Sequence, residues 1–387
     1  MPGAINPGPG PQASARLAYL DSLRGIAILG VLMVHCSMLS GSFALDGFAH
    51  EGGMGVQVFF LVSALTIFMS LDRAVGREKR PFVNFFIRRV FRVLPMLWVA
   101  IALYFLVPGR EYQNPPAPTG PLATVLAALL QQGWDPRTIN GIVPGIWALG
   151  AEANFYIVAP LFFLGIKSWR RALGLVPAAL VLSYAAAMVV RILRARGHLF
   201  VGVPDPLFGF FVERWFFGQL PAFAMGILAY QGMKRAPTGT FGRRTGMLLV
   251  LTGVLLAAAF VSVGWRLLIT DRTAFAFAFL FVLVGLRAHP VGLLVNPVTS
   301  FLGRTSFGIY LFHFAILAPL AVWLRQDFPG LAALHGCFFG VLWAGTALAS
   351  AGAGWLAARL VEKPLIRLGA GLIAALEKAP AVPTYAR

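Results

Sequence analysis

Ten stretches of the 387-residue sequence are long and apolar enough to cross a lipid bilayer. A helix needs about 20 predominantly apolar residues to span roughly 30 Å of hydrocarbon. The stretches lie near 20–39, 54–71, 90–107, 144–166, 172–190, 209–230, 245–263, 272–287, 306–324 and 332–357. Because a backbone in lipid must satisfy its own hydrogen bonds, these runs predict an all-α polytopic membrane protein with about ten transmembrane helices.

The composition excludes an ordinary soluble enzyme. Charged residues make up only 12% of the chain, whereas soluble globular proteins carry about 25%. An eleventh apolar stretch, 121–132, is too short to span comfortably and is followed by polar residues. We therefore predict that it forms a short interfacial or re-entrant helix.

The distribution of positive charge predicts the orientation of the chain. With both termini in the cytoplasm, the inner segments hold 22 of the 32 Lys and Arg residues, and the outer segments hold eight. The other two, Arg24 and Arg214, lie within spans. This asymmetry follows the positive-inside rule. It accounts for most of the net charge of +18, so we expect no nucleic-acid partner.

The remaining segments carry few functional signals. Residues 1–14 are rich in Pro and Gly and predict a disordered leader, and residues 371–387 predict a cytoplasmic tail. Cys36 and Cys337 lie in apolar runs without metal-ligand spacing, so neither a disulfide framework nor a metal site is expected. No internal repeat of the kind that many transporters contain is visible.

Ionisable residues within spans are costly and are functional candidates by default. They are Arg24, His35, Glu152, Glu213, Arg214, His313 and His335. His35 is eleven positions after Arg24, which places both on one helix face about 16 Å apart. The alternatives without a functional role are an arginine that extends to the lipid headgroups and a histidine that bonds to a neighbouring helix.

Six motifs follow one another along the chain. They are Arg24–His35 after Leu20-Asp-Ser-Leu, Gly55-Val-Gln-Val-Phe-Phe-Leu-Val-Ser63, Arg88-Arg-Val-Phe-Arg92-Val-Leu-Pro95, Ile146–Leu161 with Glu152, Thr305–His313 with Tyr310, and Val361-Glu-Lys-Pro364. In this order they resemble the motifs of the acyltransferase type 3 family, integral-membrane enzymes that are chiefly O-acetyltransferases of glycans. Two positions depart from the family pattern: Ala64 stands where Gly is usual, and Phe307 stands where Tyr is common.

The resemblance implies that residues 15–370 form a membrane acyltransferase domain, and that this domain lies in the bacterial inner membrane. It implies an acyl-coenzyme A donor, most commonly acetyl-coenzyme A, rather than a permanently bound cofactor. The acceptor would be a hydroxyl of an extracytoplasmic glycan or lipid-linked saccharide. Membrane lipid would surround the protein itself. The sequence leaves open which glycan, which acyl group, and whether the acyl group first rests on a protein side chain.

O-acyl transfer requires a base for the attacking hydroxyl, and a group that titrates near neutrality suits the task. We predict His35 as that base, on the Arg24 face, with Glu152 on the other ring nitrogen of His35. A salt bridge to an arginine within a span is the alternative for Glu152. We expect Ser63, Tyr310, His313, Glu213 and Arg214 to line the cavity or touch the acceptor.

Three arginines are candidates for the donor site. Arg88, Arg89 and Arg92 stand where the phosphates of coenzyme A would arrive, and guanidinium groups match phosphate geometry. The alternative is that they serve only the positive-inside rule. Two other classes of function also stay open at this stage: a secondary transporter in which Arg24, His35 and Glu152 relay protons, and a glycan-binding scaffold without chemistry.

The predicted orientation can be tested with reporter fusions. Fusions after Lys167 and after Arg235 should report a cytoplasmic location, and a fusion after Gly109 should report the outer side. If the fusion after Lys167 reports the outer side, then 121–132 is a true span and the predicted orientation is wrong.

Overall fold

The computed structural model of the protein describes residues 17–41, 49, 51–106, 120–236, 239–263 and 271–378. The predicted leader at 1–14 and the end of the predicted tail, 379–387, lie outside these ranges. Within the described residues the chain forms helices and no strand. The all-α membrane class predicted from the sequence is confirmed for this part of the chain.

The helices are numbered here in chain order. They are α1 (Ala18–Ser40), α2 (Gly55–Val75), α3 (Pro81–Leu106), α4 (Pro121–Ala128), α5 (Trp147–Gly165), α6 (Trp169–Ala195), α7 (Asp205–Arg214), α8 (Phe216–Arg235), α9 (Arg243–Val263), α10 (Asp271–Ala288), α11 (Pro297–Asp327), α12 (Pro329–Ala333), α13 (His335–Ala357) and α14 (Lys363–Lys378). A 3₁₀ turn, Gly52–Met54, precedes α2, and a π-helical turn, Ala358–Glu362, joins α13 to α14.

Each of the ten predicted spans is helical in the structure. Among the described residues, eight helical segments are long and apolar enough to cross a membrane, and the other two predicted spans correspond to α8 and α10. The last of the eight segments is the continuous run His335–Lys378. Ten crossings, and the location of both termini in the cytoplasm, remain predictions.

The predicted span at 209–230 is not one continuous helix. The chain breaks at Trp215, whose backbone is extended, with α7 before it and α8 after it. The break leaves the Glu213 carbonyl without an intrahelical partner, and the Gln219 side chain donates to it at 2.6 Å. A buried side chain thus satisfies a polar group at the break, as a helix end within a membrane requires.

The stretch predicted to be too short to span is short in the structure. Helix α4 has eight residues, which is about 12 Å of helix. The buried amide of Gln132, just beyond α4, donates to the Ile146 carbonyl at 3.1 Å and so ties this segment to the start of α5. Whether it lies in the interface or re-enters the membrane remains a prediction.

Helices α1 and α11 run parallel with their backbones in contact. Ser22 and Ser300 share a hydrogen bond of 2.8 Å. A Cβ atom on Gly25 would overlap the Thr299 carbonyl, and one on Gly303 would overlap the Asp21 carbonyl. Small residues permit this close approach, which is a common basis of helix association in membranes. The contact sets the faces of α1 and α11 that meet along the rest of their length.

Helix α14 packs along the first turns of α3. The Glu377 carboxylate accepts hydrogen bonds from the backbone N–H of Lys79 (2.8 Å) and of Arg80 (3.1 Å) and from Asn84 Nδ2 (2.7 Å). Negative charge at the start of a helix is favourable because the first N–H groups have no intrahelical acceptor. Midway along α14, Gly369 packs on the Phe91 ring. The C-terminal helix therefore fixes the segment of α3 that carries the predicted donor arginines.

The α1–α11 contact predicts the effect of a small substitution. Gly25→Ala should destabilise the protein by about 1–3 kcal/mol, because the new methyl group meets backbone atoms that cannot move aside. The matched control is Gly174→Ala in α6, where nothing lies within 4 Å of the new Cβ. That change should be neutral or stabilising by up to about 1 kcal/mol. Melting in detergent measures both, and equal melting temperatures for the two variants would contradict the contact.

Candidate functional site

A cavity of about 310 Å³ lies between α1, α2, α3, α5 and α11. Its aromatic walls include Phe59, Phe60 and Phe307. Its polar lining comprises Asp21, Arg24, Ser63, Arg89, Arg92, Glu152, Tyr156, Arg304, Ser306 and Tyr310. Arg92 and Arg304 are exposed, whereas Tyr310 is buried. The cavity therefore opens at an arginine-rich mouth and ends inside the bundle at Tyr310.

Arg24 lies on the cavity wall and bonds within the protein. Its Nη2 atom donates to Thr66 Oγ1 at 3.3 Å, and its Nη1 atom is 3.9 Å from Asp21 Oδ1. Thr66 follows Ser63 by three residues on α2, so the two side chains share a helix face. Arg24 therefore contributes positive charge to the same part of the cavity as the Ser63 hydroxyl.

Glu152 faces the cavity from α5, but its partner differs from the one predicted. The Ser63 hydroxyl donates a hydrogen bond to the Glu152 carboxylate. Tyr156, one turn further along α5, lines the same cavity. In the structure Glu152 therefore bonds to the Ser63 hydroxyl, and not to His35 as predicted.

The three predicted donor arginines lie in different surroundings. Arg89 lines the cavity with its guanidinium group between the rings of Phe85 and Tyr156, at 5.4 and 5.3 Å from their centroids. Its buried Nε atom has no hydrogen-bond partner among the described residues. Such stacking holds a cation over aromatic faces while its remaining N–H groups stay available.

Arg92 and Arg88 differ from Arg89 in their acidic partners. Arg92 lines the cavity mouth and is 3.8 Å from Glu362, the acidic residue of the last sequence motif. Arg88 does not line the cavity. It forms a bidentate ion pair with Glu78, with N···O distances of 2.9 and 3.2 Å. The structure therefore assigns Arg89 and Arg92 to the cavity, and Arg88 to the anchoring of α3.

His35 and His313 form a stacked pair beyond the end of the cavity. Their ring centroids are 5.2 Å apart with an interplanar angle of 29°, and each ring is 4.4 Å from the ring of Phe314. Neither histidine lines the cavity. Arg24 and His35 share a face of α1, as predicted, but only Arg24 reaches the cavity.

Tyr310 separates the cavity from the histidine pair. It lines the cavity, and its ring centroid is 5.8 Å from that of His313. Its hydroxyl donates to the Gly145 carbonyl at 2.6 Å. Gly145 has φ +80 and lies so close that a Cβ there would approach the hydroxyl to 3.2 Å. Glycine adopts this conformation at little cost, which permits the bond between α11 and the loop before α5.

Glu213 and Arg214 lie together at the end of α7 and outside the cavity lining. Their side chains form an ion pair at 3.2 Å, and the Arg214 guanidinium is 4.0 Å from the centroid of Phe210. Arg214 and Arg272 both stack on Trp147, at 5.8 and 5.5 Å. Trp147 belongs to the same sequence motif as Glu152. This motif therefore contacts the charged cluster formed by Glu213, Arg214 and Arg272.

Sequence reasoning missed several residues of the site. Asp21, Tyr156 and Arg304 line the cavity, and Arg272 joins the Arg214 group. Spacing could have found two of them, since Asp21 precedes Arg24 by three residues and Tyr156 follows Glu152 by four. Arg304 is one of the 22 Lys and Arg residues assigned to the inner segments, and the sequence carries no further signal for it. No cluster that could hold a metal ion occurs in the described part of the chain.

A scan of protein families matches residues 17–362 to an acyltransferase domain, a range that covers the first five motifs and the start of the sixth. The chain belongs to the acyltransferase type 3 family. It is therefore an integral-membrane enzyme of O-acyl transfer. No solved structure matches the chain.

Named relatives of this acyltransferase are distant. Acyltransferase MdmB of Streptomyces mycarofaciens is 26% identical over 79% of this chain and 80% of its own length. Nodulation protein 10 of Rhizobium leguminosarum is 26% identical over 94% of this chain and 97% of its own length. Peptidoglycan O-acetyltransferase OatA of Listeria monocytogenes is 23% identical over 77% of this chain. The match covers only 49% of OatA, about half of that relative's length.

Proposed function

We propose that the protein moves an acyl group, most commonly acetyl, from acyl-coenzyme A to a hydroxyl of an extracytoplasmic or lipid-linked glycan. The donor would enter the arginine-rich mouth from the cytoplasm, and the acceptor would approach from the other side of a bacterial inner membrane. One observation carries this proposal. A single cavity begins at arginines and ends at Tyr310, with the His35–His313 pair directly behind it.

The charge at the cavity mouth supports a phosphate-bearing donor. Arg89, Arg92 and Arg304 line the cavity, and Arg89 has no carboxylate within ion-pair distance among the described residues. Guanidinium groups bind phosphate through paired N–H donors. The phosphates of coenzyme A would stay at this mouth while its thioester arm extends along the aromatic walls toward Tyr310.

The histidine pair supports base catalysis at the other end. His35 is only partly buried, whereas its neighbour His313 is fully buried. A neutral imidazole at an accessible position can take the proton of an attacking hydroxyl. Displacement of the Tyr310 ring would bring the thioester and the acceptor hydroxyl together beside His35.

The relatives support a glycan acceptor without selecting one. OatA is named for O-acetylation of peptidoglycan, and MdmB is named only as an acyltransferase. The transporter alternative has less support, because the proposed relay residues are divided between two places. Glu152 bonds to Ser63 in the cavity, and His35 stacks on His313 beyond it.

Inverted membrane vesicles from cells that carry the protein test the function. With labelled acetyl-coenzyme A added outside, the label should enter the glycan and lipid-linked fractions as base-labile acetate, with release of free coenzyme A. Vesicles from cells without the protein are the control. Uptake of label into the vesicle lumen with the thioester intact would instead indicate a transporter.

The donor site predicts a selective effect on acetyl-coenzyme A. Changing Arg89 and Arg92 together to Gln should raise the KM for acetyl-coenzyme A at least about tenfold, because each charge-assisted bond contributes roughly 1.5–3 kcal/mol. The matched control is Arg88→Gln, which removes a neighbouring arginine that pairs with Glu78 outside the cavity. Its KM should stay near that of the unchanged protein. Equal KM values for both variants would remove Arg89 and Arg92 from the donor site.

The proposed base predicts a loss of turnover rather than of binding. General-base catalysis typically contributes 10²- to 10⁴-fold, so His35→Gln should lower kcat by about this factor in the vesicle assay. Glutamine retains a hydrogen-bonding group but cannot accept and release the proton. The KM for acetyl-coenzyme A should change little. Retention of a third of the original turnover would make His35 a structural histidine.

A further inference from the structure

We infer that α14 lies along the membrane surface, on the side of the arginine-rich mouth, and binds acidic phospholipids there. None of its residues, Lys363–Lys378, lines the cavity. The inference is therefore independent of the proposed reaction. It replaces the expectation of a cytoplasmic tail over 371–378 with a helix in contact with lipid headgroups.

The helical run that contains α14 is too long to lie wholly within the bilayer. His335–Lys378 is one continuous segment of 44 residues, which is about 66 Å of helix. The hydrocarbon core is only about 30 Å thick. Helix α13 alone, with 23 residues, is long enough to cross it. Helix α14 therefore lies beyond the crossing.

Contacts with α3 keep α14 close to the edge of the hydrocarbon. The two helices run antiparallel, because Gly369 packs on the Phe91 ring and Glu377, eight residues later, accepts from the backbone N–H of Arg80. The predicted third span begins near residue 90. Helix α14 is therefore held beside the turns of α3 that precede this span, and it does not extend freely into water.

One stripe of α14 is apolar and exposed at the protein surface. Leu368 is 60% exposed and Leu372 is 44% exposed, and the exposed Ala375 lies on the same side. These three residues fall within a sector of about 60°, turned about 90° from Gly369, which contacts α3. Apolar side chains in this position are favoured in lipid and disfavoured in water.

The neighbouring turns of α3 also expose apolar side chains. Val83, Phe86 and Val90 are 51%, 39% and 46% exposed. Their spacing of i, i+3 and i+7 places them on one face of α3. Two adjacent helices therefore present apolar stripes at the same edge of the bundle. This arrangement is typical of segments that rest in a membrane interface.

The charges of α14 complement a negatively charged surface. Its one acidic residue, Glu377, bonds to the start of α3. Its cations, Lys363, Arg367 and Lys378, are exposed and share a sector of about 60° beside the apolar stripe. None of the three forms an ion pair with another described residue. Cations beside an apolar stripe match the phosphates and the acyl chains of acidic lipids.

A second copy of the chain fits this face less well than a lipid surface does. A two-fold dimer brings the same surface of both subunits together. Lys363, Arg367 and Lys378 would then face the same cations of the other copy, and like charges repel. Acidic headgroups carry the opposite charge, and the acyl chains below them accept Leu368 and Leu372.

Spin labels test the depth of the two sides of α14. The starting protein is the full chain with Cys337→Ser, which removes the exposed native cysteine. Leu372→Cys places a label on the apolar stripe, and Ala374→Cys places one on the cationic side. In vesicles of phosphatidylcholine and phosphatidylglycerol, the ratio of oxygen to nickel-chelate accessibility should be at least about fivefold higher at position 372 than at position 374.

Two results of the labelling experiment would overturn the inference. Equal access of the nickel chelate to both labels would place the whole helix in water. Protection of the label at position 372 from both oxygen and nickel would show that protein covers the stripe, as in a dimer of the chain.

Melting in detergent tests the acidic lipid. A lipid that binds the folded protein raises the melting temperature, so phosphatidylglycerol should raise it more than phosphatidylcholine does. The variant Lys363→Gln/Arg367→Gln/Lys378→Gln should need at least about tenfold more phosphatidylglycerol for the same shift, because each cation near an anionic surface adds to binding. The matched control is Arg243→Gln/Arg244→Gln, which removes two exposed arginines at the start of α9. It should respond like the unchanged protein.

Two further variants separate charge from packing. The charge-conserving variant Lys363→Arg/Arg367→Lys/Lys378→Arg should keep the full response to phosphatidylglycerol. If the triple Gln variant does not fold, Lys363→Gln/Arg367→Gln provides the measurement and should show a weakened response. A full response by the Gln variants would overturn the inference, as would an equal loss in the Arg243→Gln/Arg244→Gln control.

Discussion

The contact between α1 and α11 determines which functional groups meet. Glycines at positions 25 and 303 let the two parallel backbones touch, and the Ser22–Ser300 hydrogen bond fixes their register. Because the helices run in the same direction, residues that are equally far along from this contact lie side by side. His35 therefore meets His313, ten residues beyond each glycine. A shift of one residue between the helices would separate the histidines.

The second constraint is the absence of water inside the bilayer, which requires polar groups to find partners within the protein. In the cavity, Arg24 bonds to Thr66 and Glu152 bonds to Ser63. Arg89 instead makes cation–π contacts with two aromatic rings. Among the described residues, one buried nitrogen of His35 and one of His313 lack a hydrogen-bond partner, as does Nε of Arg89. Incomplete satisfaction at a buried pair is costly, and a site for proton transfer is a physical reason for a protein to retain it.

The sequence predicted the helical class and the helical segments well, because span length and apolar composition are local properties. It predicted the Arg24–His35 face correctly for the same reason, since one helix fixes that geometry. It could not assign partners between helices. The pairing of Glu152 with Ser63, of Arg88 with Glu78 and of His35 with His313 depends on helix packing, and no spacing rule within one segment contains that information.

The break at Trp215 shows a second limit of prediction from the sequence. Apolar composition continues through 209–230, so hydropathy alone predicted one span, while the interruption depends on the Gln219 side chain bonding to a carbonyl of α7. The break places Glu213 and Arg214 in the last turn of α7, with Arg214 beside Trp147, rather than in the middle of one long helix. A polar side chain one turn into an apolar run was the available signal.

The most direct test of the account is a cryo-electron microscopy structure of the protein with a non-transferable acetyl-coenzyme A analogue. The account predicts the phosphates against Arg89 and Arg92 and the acyl end against Tyr310, on the side of the histidine pair. A phosphate group bound at Arg214 and Arg272, or an acyl end that points away from Tyr310 toward the arginine mouth, would contradict it.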